Sequence, residues 1–280
     1  MVHQEYSWKS TDGTTLYGQS WKPGKPPRAL INYVHGFMDH SSRFTNWAGR
    51  LCNAGYAVAA IDLRGHGRSE GRRGYARNFS FYIQDIHTLC ENSRVLFPEC
   101  SPVLYGHSLG GNLVANFLIG ENPLPQAAVI SSPWFTLTQK PPLVKYLMAV
   151  MARYLLPGLT VKSDLDPDAL SRDPDVVSSY NSDPLVHHAI LPRLFFEIEH
   201  FGIIASQSIY KINIPLLVMH GNADRITSFR QTADFVRNAG RHTTFKQWPG
   251  AYHELHNEPH EQEVFNYLLS WLNNRNFVRS

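Results

Sequence analysis

The apolar run Val103-Leu104-Tyr105 ends in Gly106-His107-Ser108-Leu109-Gly110, and an apolar stripe at helical spacing, Leu113, Val114, Phe117 and Leu118, begins directly after it. This junction restricts the fold more than composition does. A serine on so tight a turn between a buried strand and a helix sits in a strained backbone conformation, and the residues two positions to either side must lack a Cβ for the turn to close. Glycine at 106 and 110 meets that requirement.

Short apolar runs alternate with helical patterns along most of the chain, the sign of a mainly parallel sheet covered by helices. Strands are expected at about 4–10 and 15–22, a hairpin turning at Asp12-Gly13, then at 29–35, 57–62, 102–107, 127–131, 214–220 and 243–248. Helices are expected at about 44–54, 79–97, 109–120, 228–239 and 260–274. Residues 134–210 break the alternation with helical pieces punctuated by Pro141-Pro142, Pro157-Gly158, Asp166-Pro167, Asp173-Pro174 and Asp183-Pro184. Insertions at the carboxyl edge of a parallel sheet lie over the place where such sheets bind ligands. The chain therefore divides into a core, 1–133 and 211–280, and a cap, 134–210.

A hydroxyl is a poor nucleophile at neutral pH; a base must take its proton and a carboxylate must orient the base. In a sheet of this kind those partners follow at later strand ends, in the order Ser, acid, His. "PLLVMHGNADRIT" supplies Asp224 and "KQWPGAYHELHNE" supplies His253. The alternatives are that Asp224 caps the next helix or pairs with Arg225, and that His256 is the base. His107 is read as a packing residue. Oxyanion donors are expected from the backbone N–H of Leu109, at the helix start, and of Phe37, after the strand ending "INYVHGF". His35 and Gly36 are read as shaping that loop. The fold expected from this order is an α/β-hydrolase: an eight-stranded, mostly parallel sheet flanked by helices, with a helical cap inserted after strand 6.

Six stretches, "YVHGFMDHSSRF", "AIDLRGHGRSEG", "YGHSLGGN", "SSYNSDPLVHHA", "MHGNADRIT" and "GAYHELHNE", resemble successive motifs of the monoacylglycerol lipase and lysophospholipase group of α/β hydrolases. The resemblance spans nearly the whole chain, cap included. It implies cleavage of a fatty-acid ester of glycerol through an acyl-enzyme, with Ser108, Asp224 and His253 as the triad and Phe37 and Leu109 as oxyanion donors. It also implies that Arg43, Tyr180 and His256 lie near the glycerol end of the pocket. The alternatives are a lysophospholipase, a general short-chain carboxylesterase and, from a different class, a non-catalytic ligand-binding module on the same fold.

Within the cap, Val144, Leu147, Met148, Met151 and Leu155 recur at helical spacing, flanked by Lys145 and Arg153. Two readings stay open: a helix buried against the sheet, or one that lines an acyl tunnel through Leu147 and Met151 and touches membranes transiently. The remaining features exclude other classes. Hydrophobic residues make up 43% and charged residues 18%, and the net charge of +3 gives no case for nucleic acid. The three cysteines have neither disulfide nor zinc spacing, and no phosphate loop or dinucleotide fingerprint occurs. No metal and no cofactor are expected. Asp39-His40 and His187-His188 are read as solvated or capping residues. The start MVHQEYSWKS lacks the pattern of a secretion signal, so the expectation is a cytoplasmic chain, peripheral at membranes.

Overall fold

The computed structural model describes residues 1–120, 122–275 and 277. The chain opens with a hairpin, β1 (Val2–Lys9) and β2 (Thr15–Lys22), followed by β3 (Leu30–Val34), α1 (Thr45–Asn53), β4 (Ala57–Ile61), α2 (Ser80–Leu96), β5 (Pro102–His107), α3 (Leu109–Ile119) and β6 (Ala127–Ser131). It then leaves the sheet for α4 (Leu143–Leu155), β7 (Val161–Lys162), α5 (Pro174–Ser182), β8 (Ala189–Ile190) and α6 (Pro192–Ser208). The final elements are β9 (Leu216–Gly221), α7 (Phe229–Arg237), β10 (Thr243–Trp248) and α8 (Glu261–Asn273).

The eight expected strands form one sheet in the order β1-β2-β4-β3-β5-β6-β9-β10. Only β2 runs against its neighbours; from β4 to β10 every pair is parallel. The central strands are buried on both faces, so Leu30–Val34 and Ala57–Ile61 read as continuous apolar runs rather than alternations. Helix α3 has Leu109, Leu113, Val114, Phe117 and Leu118 buried, as its stripe predicts. The order places β5 at the middle of the sheet with β3 and β6 beside it, so loops after these strands converge on Ser108.

Between β6 and β9 the Asp-Pro pairs start helical turns rather than merely breaking the chain. The Asp173 side chain accepts from the N–H of Asp175 with Pro174 in the first helical position, and Asp166 does the same for a short turn at Pro167–Ala169. Two features were not legible in the sequence: the two-residue pairing of β7 with β8 and the 17-residue helix α6.

Helix α4 contradicts one of its two readings. It has no buried residue, so it is not a helix packed against the sheet. Asp39, His40 and His187 are also buried rather than solvated, whereas His188 is exposed. Two of these are held by specific bonds: His40 Nε2 lies 2.9 Å from Asp183 Oδ2, and Asp39 accepts from Arg43 and from the N–H of His40.

Candidate active site

Ser108 has φ 55° and ψ −116°, a conformation rare for a residue with a side chain. The flanking glycines make it possible: a Cβ at Gly106 would overlap the carbonyl of Gly110, and one at Gly110 would overlap the carbonyl oxygen of Val34 on β3. The loop after β3 runs directly beside the serine. A Cβ at Gly36 would lie 3.1 Å from Ser108 Cβ and 3.6 Å from its Oγ, so the Gly36-Phe37 peptide borders the hydroxyl. Leu109 is the first residue of α3, and its N–H has no acceptor within the helix.

Asp224, in the loop after β9, is fully enclosed by hydrogen bonds. Its Oδ1 accepts from the N–H groups of Ile226 at 2.7 Å and Thr227 at 2.9 Å. Its Oδ2 accepts from His253 Nδ1 at 2.7 Å and His220 Nε2 at 3.0 Å, and the Thr227 hydroxyl lies 2.9 Å away. Arg225 turns outward to the carbonyl of Asp168, so the ion-pair alternative for Asp224 falls. The helix-capping alternative falls too: Ser228 caps α7, its side chain accepting from the N–H of Gln231, while Asp224 Oδ1 closes the turn at Ile226 and Thr227.

His256 is not placed against Asp224. It is buried with its ring edge-on to His107, Phe44 and Trp47. Burial would raise the Asp224 pKa, but the His253 charge and the bonds from His220 and His253 outweigh it and hold the carboxyl far below its usual range. Burial alone would lower the His253 pKa. The Asp224 charge and hydrogen bond, helped by Glu254 and Asp39, reverse that and raise it. His107 goes the other way: burial, then repulsion by His253 and His256, keeps its ring neutral. The pairing of one histidine with raised pKa and a depressed carboxylate pins the imidazole of His253 through its Nδ1–H to Asp224.

Ser108 and His253 both open onto a cavity of about 650 Å³, within the range of small-molecule sites. Phe37 and Met38 wall it from the core, and Trp134, Leu137, Met148 and Phe195 from the insertion. Four expected contact residues need correction. Leu147 and Met151 do not line the cavity; they are 53% and 58% exposed on the outer side of α4, one step round the helix from Met148, Ala149 and Ala152, which do line it. Apolar periodicity marks a stripe but not which of two apolar stripes faces inward. Arg43 and His256 also lie outside the lining. Arg43 is consumed by a buried ion pair, its Nη1 and Nη2 on Glu254 Oε1 and Oε2 at 2.7 and 2.8 Å, with a further bond to Asp39 at 3.1 Å. Tyr180 does reach the cavity wall.

Sequence reasoning missed Glu254, His220 and Thr227. Glu254 is adjacent to His253 and almost fully buried, but the same loop holds Glu258, His256 and Asn257, so nothing in its sequence sets Glu254 apart. His220 stands at the end of β9 with Nδ1 against Thr232 Oγ1 at 2.9 Å, so its Nε2 is the donor toward Asp224.

Comparisons with known proteins agree with this geometry. A family model described as serine aminopeptidase, S33 matches residues 25–260. A monoacylglycerol lipase of Mycolicibacterium smegmatis is 34% identical over 97% of each chain, and the monoglyceride lipase of Homo sapiens is 32% identical over 95% of this chain and 89% of that one. The crystal structure of the Paleococcus ferrophilus monoacylglycerol lipase superposes with a TM-score of 0.83 at 31% identity, covering 92% of this chain and 98% of the other. The chain belongs to this serine aminopeptidase S33 family of α/β hydrolases, in its monoacylglycerol lipase-like group.

Proposed function

We propose that the chain hydrolyses the ester bond of monoacylglycerols, releasing glycerol and a fatty acid. The observation that carries this reading is the 2.7 Å contact of Asp224 Oδ2 with His253 Nδ1, beside a serine at φ 55°, on a largely apolar cavity. The relatives named monoacylglycerol lipase across almost the full length support the choice of ester.

In this mechanism His253 Nε2 takes the proton of Ser108 Oγ as the oxygen attacks the acyl carbonyl. Asp224 keeps the imidazole in the tautomer with Nδ1–H and stabilises the imidazolium that forms. The N–H groups of Phe37 and Leu109 receive the developing oxyanion, each donor worth about 3 to 4 kcal/mol in the transition state. His253 then protonates the leaving glycerol oxygen. In the second half it activates water, which attacks the acyl-enzyme carbonyl and frees the fatty acid and Ser108.

Residues 134–210 act as a cap over this cavity, with Met148 and its neighbours bounding the acyl chain. The outer face of α4, with Leu143, Val144, Leu147 and Met151 exposed, rests transiently on lipid surfaces. Among the described residues no helix is long and apolar enough to cross a membrane.

The test is hydrolysis of 1-monoacylglycerols from C8 to C18 beside p-nitrophenyl butyrate and a lysophospholipid, for the wild type and Ser108→Ala. Monoacylglycerols are expected to give the highest kcat/KM, and the variant to lose turnover on the order of a millionfold. Preference for the short ester or the lysophospholipid would overturn the substrate while keeping the chemistry. Full activity of Ser108→Ala would overturn the chemistry itself.

A further inference from the structure

The oxyanion loop is not held by the core alone. Met38, immediately after Phe37, has φ 56°, a left-handed conformation that a residue with a Cβ keeps only where its surroundings impose it. Two contacts from the insertion, more than 140 residues away in the chain, fall on this loop. The hydroxyl of Tyr180, near the end of α5, donates to the Met38 carbonyl at 3.2 Å, and Asp183, directly after α5, meets His40 Nε2 at 2.9 Å. The Arg43 guanidinium packs over the Tyr180 ring at 4.9 Å while binding Asp39 on the same loop and Glu254 beside His253. Tyr180 is 2% exposed, so its bond to the Met38 carbonyl is enclosed, whereas Asp183 is half-buried.

We propose that Tyr180 is a positioning residue for the oxyanion hole: its hydroxyl, together with Asp183, clamps the Met38–His40 backbone and so fixes the Phe37 N–H beside Ser108. This rests on the serine-hydrolase reading above and departs from the expectation that Tyr180 serves the glycerol end of the pocket. The end of α5 is then part of the catalytic scaffold, and it transmits the seating of the insertion to the reacting atoms. A relaxed Met38 would re-aim the segment that carries Phe37, and small misplacements of such donors are costly to rate.

Tyr180→Phe removes the donor and keeps the ring over Arg43. With p-nitrophenyl butyrate, kcat is expected to fall about tenfold, less than loss of a whole oxyanion donor, with KM within about twofold. Affinity for a trifluoromethyl ketone, whose hemiketal with Ser108 places an oxyanion in the same position, should fall by about the same factor. The acid limb of the pH profile should not move, because the Asp224–His253 pair is untouched.

Glycine adopts the left-handed conformation without support, so in a Met38→Gly background the Phe substitution should cost less than about threefold. A loss confined to KM would make Tyr180 a substrate contact and overturn the clamp. So would equal losses in both backgrounds, or unchanged ketone affinity. If Tyr180→Phe does not fold, Asp183→Asn puts the other arm to the same readings, and an unchanged kcat there overturns the proposal. Labelling of the wild type at Ser108 by a fluorophosphonate probe separates the two levels. Its absence removes the serine-hydrolase reading, whereas labelling with an unaffected Tyr180→Phe removes only the clamp.

Discussion

Helices α3 and α4 are both rich in apolar residues and close in length, yet α3 buries Leu109 through Ala115 without a break while α4 buries nothing. Helix α3 lies against β5, β6 and α6, and its first turn forms the serine junction; α4 rests on α6. Two of its stripes are apolar. One, with Met148 and Ala152, faces the cavity, and the other, with Leu147 and Met151, faces outward. The difference teaches that apolar content marks a surface to be covered, and only the partner decides whether sheet, ligand or a lipid surface covers it.

The sharpest contrast should come from the junction. Gly110→Ala puts a Cβ from α3 into the Val34 carbonyl of β3, which cannot yield without opening the sheet, and is expected to cost more than about 4 kcal/mol by denaturant unfolding. A loss below 1 kcal/mol would mean that this region is as tolerant as α4 and would end the distinction.

An intermediate effect is expected in the loop that carries His253. Glu254→Gln leaves the buried Arg43 guanidinium with only Asp39 as a carboxylate partner, a change of about 3 kcal/mol, at the low end for a broken buried pair because glutamine still accepts one hydrogen bond. The same variant has a pH signature. The base must be neutral to act, and its pKa is raised above the ordinary value near 6.5, so the activity of the wild type falls as pH drops through a value above 6.5. Removing the Glu254 charge takes away part of that raise, and the acid limb of kcat/KM should move to lower pH. An unmoved limb would confine Glu254 to holding Arg43.

The smallest effect belongs to the outer face of α4. Leu147→Glu should change unfolding stability by no more than about 0.5 kcal/mol and leave turnover of p-nitrophenyl butyrate unaltered. Partitioning onto phosphatidylcholine vesicles should drop. Substantial destabilisation would show that this face packs on protein, and unchanged partitioning would remove its contact with lipid.

Much of the fold was legible because two periodicities are hard to mistake. Runs such as Ala57–Ile61 and Leu216–Gly221 are buried on both sides and bounded by turn residues, and α3 declares itself by its stripe. The insertion was less legible because its elements are not specified by period. Asp166-Pro167 and Asp173-Pro174 look like breaks but cap the turns that follow them, and β7 pairs with β8 over two residues, too few to carry an alternation. The candidate triad was readable from chain order. The roles of Arg43, His256 and Tyr180 were not, since a charged or aromatic residue has the same letter whether it meets a ligand or another side chain.

The amino-acid sequence by itself determined the sheet, the serine junction and the order of Ser108, Asp224 and His253, because steric limits on glycine turns and the burial of apolar strands act locally. Tertiary structure alone decided that Arg43 is spent on Glu254, that Asp224 is shared between His220 and His253, and that Leu147 points outward. Those outcomes depend on which distant segments meet, and hydrogen bonds and desolvation reward a charged group only for the partner it finds in the folded chain.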